Sequence, residues 1–385
     1  MSVRIYTPGH GLYTDTLILY GITLPLCKAL GERLLKQPDL IRARSLGQVY
    51  ELDIRVDTSS DIARAISNYI SRHKSEMMNR LSGKPLGFFS EKDVDVIAQA
   101  LTDVNRMGAY IQDLTKPGHS KREREGRKGR GNTMKLPLMP IAGKYLHKDL
   151  TQALRYPQAQ YKACNYCYAL ASLGLSQASL PIPGAVGREW HRIVTVLAFE
   201  GEVDGDYFRL LNDYRVSDWE HFYGRLGKAV AQLPLRVLVK YVVTHFSPAL
   251  VRGMRGALAR WYVFSVDFAG KPKAPQIRGF QDLEITPLIT GLSKLYKLPN
   301  ISTLATVELQ ELLDFLVESR EAQVLEALME FIATRRLEYL YTFARGTYSA
   351  IERERTRVLG GRRWRKALAQ AGRFQELANA LLKSE

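Results

Sequence analysis

Cys164-Asn-Tyr-Cys167 places two thiols two residues apart, the one pair of side chains in this chain spaced for joint chemistry. That gap suits a zinc knuckle or a redox dithiol. A structural zinc site takes four ligands, yet the only other cysteine is Cys27 and no histidine lies at a knuckle-like distance. A dithiol oxidoreductase carries its pair at a helix start after a strand, whereas Ala169, Leu170 and Leu173 place this pair inside an apolar helical pattern. The favoured expectation is a pair of buried structural thiols, with a shared metal site or redox chemistry as alternatives. No metal ligand is assigned.

The seven histidines (His10, His73, His119, His147, His191, His221, His245) are scattered, with no His-Asp pair of metal-phosphohydrolase type and no two at helical ligand spacing. There is no Gly-x-x-x-x-Gly-Lys-Ser/Thr cradle and no Gly-x-Ser-x-Gly elbow, and Asp204 and Asp206 sit in a turn, where carboxylates shape backbone. No catalytic residue and no cofactor are expected, so the chain reads as a protein that is not an enzyme.

Charge is the stronger signal. The 385 residues carry 55 Lys and Arg against 39 Asp and Glu, a net +16. Residues 1 to 113 hold 14 basic and 13 acidic side chains, while 114 to 150 hold 10 and 3. Within that patch Lys116, Lys121, Arg122, Arg124, Arg127, Lys128 and Arg130 are laced with glycine and carry no large apolar neighbour. Such a segment has nothing to bury and orders only against a polyanion, which makes nucleic acid the expected partner. Arginines outnumber lysines 35 to 20, and guanidinium forks match phosphate oxygens. A second cluster, Arg353, Arg357, Arg362, Arg363, Arg365 and Lys366, flanks the Gly360-Gly361 break together with Trp364, whose spacing to Leu368 and Ala371 suits a core anchor better than a base-stacking platform.

Positioning these groups requires a scaffold of 46% hydrophobic composition, enough for sizeable cores. Val3 to Tyr6 reads as a strand stopped by Thr7-Pro8-Gly9, after which Tyr13-Thr14-Asp15 caps a helix towards Leu35. Gln48 to Val56 alternates as a half-buried strand. Ser59 and Ser60 cap a helix carrying Ile62, Ile66 and Ile70, and Ser90 caps another that runs towards Leu114. Tyr161 to Leu175 is a helix, Arg192 to Phe199 a strand leading into a turn or hairpin, and Arg260 to Phe268 either a strand or a helix tail. Beyond Pro299, helical spacing prevails through Leu312, Leu316, Leu325, Leu328, Phe343, Tyr348 and Leu377. The expected fold class is α+β: residues 1 to 299 a mixed region of short strands and helices with a basic flexible loop at about 115 to 135, and residues 300 to 385 a helical bundle.

Three cysteines suit a reducing compartment, no signal peptide is evident at the start, and the longest apolar run, Leu17 to Leu26, is interrupted by Gly21 and Pro25. A cytoplasmic protein without membrane insertion is expected.

The opening Tyr6-Thr7-Pro8-Gly9, then Tyr13, Asp15 and Gly21, with Cys164-x-x-Cys167 leading into Ala169-Leu170-Ala171 and Gly174, resembles the large subunit of type I-A CRISPR effector complexes, the archaeal Cascade. The likeness covers the N-terminal 25 residues and the cysteine helix, and the second cysteine pair of relatives with a complete zinc finger is missing here. The resemblance implies a non-catalytic subunit at the 5' end of a guide RNA that helps recognise the protospacer-adjacent motif, stabilises opened DNA, and recruits helicase and nuclease. Its implied partners are the backbone, 5'-end and small subunits, the helicase and nuclease, and double-stranded target DNA. A stand-alone RNA-binding or ribonucleoprotein scaffold is the alternative.

Overall fold

The computed structural model describes residues 2–83, 86–126, 131–135, 137–140, 161–186, 189–213, 229, 233–244, 254, 257–269, 274–295 and 305–357. The chain divides into two compact units, one of residues 1–216 and 256–282, the other of 217–255 and 283–385. The α+β expectation holds, with strands in the first unit and helices closing the chain.

The first unit is built around α1 (Leu12–Leu30), buried on every side from Tyr13 to Cys27. A helix that is apolar all round has no face for water, so other elements enclose it. The expected run to Leu35 breaks at Gly31, whose φ of +48° admits a turn, and α2 (Glu32–Lys36) continues separately. Over α1 lies a four-stranded antiparallel sheet in the order β1 (Val3–Tyr6), β3 (Tyr50–Ile54), β2 (Ile41–Ser45), β8 (Glu202–Asp204). The alternation read along Gln48 to Val56 is visible in β3, where Tyr50, Leu52 and Ile54 are buried while Glu51 and Asp53 face outward.

The helices α3 (Ser59–Ser82), α4 (Glu91–Thr102) and α5 (Val104–Asp113) form a layer against one another and against α1. Ser90 caps α4 as expected, accepting from Asp93 N at 3.2 Å. For α3 the cap is Thr58, one residue before the expected serines, because Asp61 reaches back to the Thr58 N–H at 2.9 Å. Asp103 ends α4 and caps α5, splitting the single helix expected towards Leu114.

The basic segment opens with α6 (His119–Gly126), and β4 (Asn132–Thr133) pairs antiparallel with β5 (Lys162–Ala163), so parts of the expected flexible loop are ordered by polar docking. Next comes α7 (Asn165–Ala178), which crosses α1 where Gly21 meets Gly174. A Cβ on Gly174 would collide with the Leu17 carbonyl oxygen, and one on Gly21 with that of Leu170. Only glycine permits so close an approach of the two backbones.

A second antiparallel sheet has the order β10 (Ala274–Glu284), β9 (Leu258–Ala269), β7 (Glu189–Glu200), β6 (Ser179–Val186). Pro181 and Pro183 hid β6 from sequence inspection, and it sits at the sheet edge, where a missing N–H costs no ladder bond. Arg260 to Phe268 proves to be strand. The hairpin after Phe199 does not form: β7 joins this sheet, while β8 crosses to pair with β2 through the Gly201 turn. α8 (Gly205–Asp213) follows and packs on α1, where Tyr20 donates to the Leu197 carbonyl at 2.6 Å and meets the Tyr207 hydroxyl at 2.8 Å.

The second unit gathers α9 (Leu235–Val243), α10 (Thr286–Leu295), α11 (Ala305–Glu318) and α13 (Leu337–Arg357) about α12 (Ala322–Thr334). Gly291 lets α10 approach the Ile332 carbonyl, and Tyr241 on α9 donates to buried Asp314 on α11 at 2.5 Å. Thus α10, which precedes Pro299, belongs with the helices beyond it. Of the apolar positions read in this region, Leu312, Leu316, Leu325, Leu328 and Phe343 are buried, but Tyr348 is 63% exposed, sharing one helical stripe with Tyr341. Leu377, Trp364 and the rest of the chain beyond residue 357 lie outside the described residues. Among the described residues no helix is long and apolar enough to cross a membrane.

Candidate nucleic-acid interface and its thiol–imidazole root

Three local structures converge where the basic segment leaves the fold: the loop after β1, the start of α6 and the approach to α7. The loop is organised by Asp15. Expected as part of a cap for α1, this carboxylate instead turns back, accepting from Thr7 Oγ1 at 3.0 Å, Gly9 N at 2.8 Å and His10 N at 3.1 Å. Gly9 and Gly11, at φ +87° and +109°, supply the backbone that brings those donors round. Burial lifts the Asp15 carboxyl to about 7 against the opposing pull of its three donors.

α6 docks on this loop without apolar side chains. Ser120 donates from its hydroxyl to the Gly9 carbonyl at 2.8 Å and from its N–H to that of Pro8 at 2.9 Å. Its neighbour His119, 4% exposed, places Nδ1 2.5 Å from Asp113 Oδ2 and Nε2 3.5 Å from Cys164 Sγ. Because a carboxylate can only accept, Nδ1 carries a proton; Nε2 donates to the sulfur when the ring is charged and turns a lone pair to it when the ring is neutral. From the far side, the Tyr161 hydroxyl lies 2.8 Å from His10 Nδ1, and Met134 N donates to the Tyr161 carbonyl at 2.8 Å. Both ends of the basic segment are therefore fastened to one base.

Cys164 is the N-cap of α7, its Sγ accepting from Cys167 N at 3.4 Å, and the pair follows the short strand β5. This corrects the expectation of a pair inside the helical pattern: the apolar periodicity starts one turn later than the first thiol. The Tyr110 hydroxyl is 3.2 Å from Cys167 Sγ. The thiols are driven apart in acidity. Hydrogen bonding from Cys167, then from His119, holds Cys164 well below the usual thiol range, while burial pushes Cys167 well above it. For His119, burial opposes the charged form, but the Cys164 and Asp113 hydrogen bonds outweigh it and raise its pKa. For Asp113, burial is likewise overcome by His119 and Arg122, which hold the carboxyl below its ordinary value.

Asp113, His119 and Cys164 stand in the order of an orienting acid, a base and a nucleophile. Cys164 is 6%, Cys167 0% and His119 4% exposed, so the thiols and the imidazole are enclosed while Asp113 keeps an edge in water, a setting for holding an ion rather than attacking a macromolecule. The atoms of His119, Cys164 and Cys167 that can ligate a metal lie within 4.8 Å of one another. Nothing in the sequence ties His119 to thiols 45 residues away; only the docking of α6 joins them.

The predicted phosphate-binding residues divide into groups. Lys116 and Lys121 are exposed, with no ion pair among the described residues. Arg122 is committed to the fold: it donates to Asp113 Oδ1 and Oδ2 at 3.1 Å and to the carbonyls of Pro117 at 2.5 Å, Asp113 at 3.1 Å and Lys116 at 3.3 Å. Lys135, a further cation of the segment, is buried against Asp93 at 2.5 Å and over the Phe89 ring. In the other cluster Arg353 pairs with Glu321. Arg124 and Arg357 lie on α6 and α13, their side chains outside the described set; Arg127, Lys128, Arg130, Arg362, Arg363, Arg365 and Lys366 lie outside the described residues altogether.

The family described as CRISPR-associated protein (Cas_Csa4) matches this chain over residues 3–371. The chain belongs to that family. A search of curated proteins found no significant match. As a CRISPR-associated protein it works in a system built on nucleic acid, and the expectation of a CRISPR role from the opening motif and the cysteine helix is met. The structure also gives those motif residues their reasons. Asp15 ties the Thr7-Pro8-Gly9 loop, Gly21 and Gly174 make the helix crossing, and Cys164 begins α7.

Proposed function

We propose that this CRISPR-associated protein is the large subunit of a type I-A RNA-guided DNA surveillance complex, a non-catalytic component that grips target nucleic acid through its basic segment. The observation that carries the reading is the coincidence of a family match across nearly the whole chain with a cationic segment, 10 basic against 3 acidic residues over 114 to 150, rooted at both ends in one polar base. Guide–target base pairing reads sequence in such complexes, so the protein's share is to hold sugar-phosphate backbone, stabilise the opened strands and contact the adjacent motif. A fixed root lowers the entropy lost when the segment closes on a polyanion. Lys116, Lys121, Arg124, Arg127, Lys128 and Arg130 are the proposed phosphate contacts, and the cluster from Arg353 to Lys366 is the second. The backbone, 5'-end and small subunits, the helicase and the nuclease are the proposed partners.

Affinity purification of the tagged full chain from its native cell tests this. The expected eluate contains a short guide RNA and several dissimilar CRISPR proteins, and binds target duplex without cutting it. Recovery of the chain alone on structured RNA would instead make it a free-standing RNA-binding scaffold. Metal-dependent cleavage by the isolated chain would overturn the non-catalytic role.

A further inference from the structure

The cluster at the root of the basic segment has a composition and shape beyond what a docking contact needs. In a tetrahedral site with metal–sulfur bonds of about 2.3 Å and metal–nitrogen bonds of about 2.0 Å, sulfur and nitrogen ligand atoms lie about 3.5 Å apart. Cys164 Sγ and His119 Nε2 stand 3.5 Å apart, and Cys167 Sγ completes a group whose ligand atoms all lie within 4.8 Å. Asp113 Oδ2 accepts from Nδ1–H at 2.5 Å, so the neutral ring presents Nε2 as the ligand atom; a carboxylate behind a ligating histidine is the usual orienting arrangement. The sulfurs also have donors suited to thiolates, Cys167 N for Cys164 and the Tyr110 hydroxyl for Cys167. Two thiolates and a neutral imidazole balance a divalent cation, which removes the cost of burying negative sulfur.

We propose that Cys164, Cys167 and His119 bind one zinc-class divalent ion, with Asp113 as the positioning residue and water in the fourth position. Soft sulfur and imidazole select this class over magnesium or calcium. The ion joins the first residue of α6 to the N-cap of α7, closing a loop that contains the basic segment. The site stands on its own geometry and does not depend on the nucleic-acid reading.

The test is metal analysis of the full-length chain, purified under reducing conditions, stripped with chelator and reloaded with zinc or cobalt(II). The expected result is about one ion per chain. The cobalt form should show sulfur-to-cobalt charge transfer in the near ultraviolet and the intense visible bands of four-coordinate geometry. Cys164→Ser and Cys167→Ser should lose the ion, whereas His119→Cys should keep it with stronger charge transfer. Asp113→Asn should weaken zinc about 10- to 100-fold in competition with a chromophoric chelator. Should the cysteine variants fail to fold, the wild-type chain still decides: chelation must lower its melting temperature and zinc must restore it. A folded wild-type chain that takes up no stoichiometric metal and melts alike with and without chelator would overturn the site. So would a Cys164–Cys167 disulfide as the species isolated under those same reducing conditions.

Discussion

Arginines crowd two surfaces of the first unit, and they are used differently. On the outer face of the first sheet, Arg4, Asp53, Arg42 and Asp204 stand opposite one another strand by strand, and the next row runs Tyr6, Glu51, Arg44 and Glu202. Apart from Tyr6, cations and acids alternate from strand to strand, and Asp39 adds pairs to Arg42 at 3.9 Å and Arg55 at 2.7 Å, all partly in water. At the root of the basic segment the same side-chain types are fixed from several directions: Arg122 by five acceptors, Asp113 by Arg122 and His119, Asp15 by three donors. The sheet cancels its charge locally. The root instead uses its carboxylates to fix the base, and beside it Lys116 and Lys121 stand exposed with no ion pair among the described residues. A count of arginines therefore does not locate a polyanion site; the ratio of cations to fixed acids does.

The largest effect that can break this contrast is on nucleic-acid affinity. Replacing Lys116, Lys121, Arg124, Arg127, Lys128 and Arg130 with Gln should reduce the log–log salt slope on duplex DNA by about 0.9 for each phosphate no longer neutralised, and affinity by orders of magnitude. Replacing Arg4, Arg42 and Arg44 with Gln should leave the slope unchanged. Equal losses in filter binding across a salt series would erase the distinction between the two surfaces.

Next in size is the pH dependence of stability. Asp15 titrates near 3.8 when unfolded and at about 7 when folded, so between those values the folded state holds the extra proton. Its burial therefore costs nothing below about pH 4, and stability falls as pH rises to about 7. At about 1.4 kcal/mol for each pH unit, the full penalty is a few kcal/mol. Urea denaturation across this range should show the fall, and Asp15→Asn should flatten it. Asp93 and Asp113 run the other way, each contributing stability present above about pH 3.8 and lost as pH falls further, since their folded values are depressed. A similar slope in Asp15→Asn would assign the effect to other groups.

The smallest effects compare single carboxylates. Asp113→Ala strands both His119 and Arg122 and should destabilise by roughly 1–3 kcal/mol. Asp39→Ala, at an exposed pair, should cost at most about 1 kcal/mol. Shifts in urea midpoint at constant slope measure both.

The local grammar of the chain is legible in its residues. Val3 to Tyr6, the alternation through β3 and the Ser90 cap can each be read directly, because the signal lies within a few neighbouring positions. What escapes is long-range. β6 carries prolines that are tolerated only because it ends on an edge, and β8 crosses to β2 for reasons that no hairpin rule contains. The candidate site divides in the same way. Lys116 and Lys121 could be named from composition, whereas Arg122 looks identical in sequence and is consumed by Asp113. His119 is hidden because its partners are set by where α6 docks, and that docking uses a serine and backbone carbonyls that carry no sequence signature.

Where Gly21 and Gly174 face each other, the carbonyl oxygens of Leu17 and Leu170 occupy the space in which side chains would ordinarily stand. Lengthwise sliding would drive a neighbouring side chain into one of those oxygens, so α1 and α7 mesh like gear teeth in a single register. Beyond the crossing, the Tyr20 hydroxyl ties α1 to β7 through the Leu197 carbonyl and to α8 through Tyr207, so one rigid contact between helices anchors both.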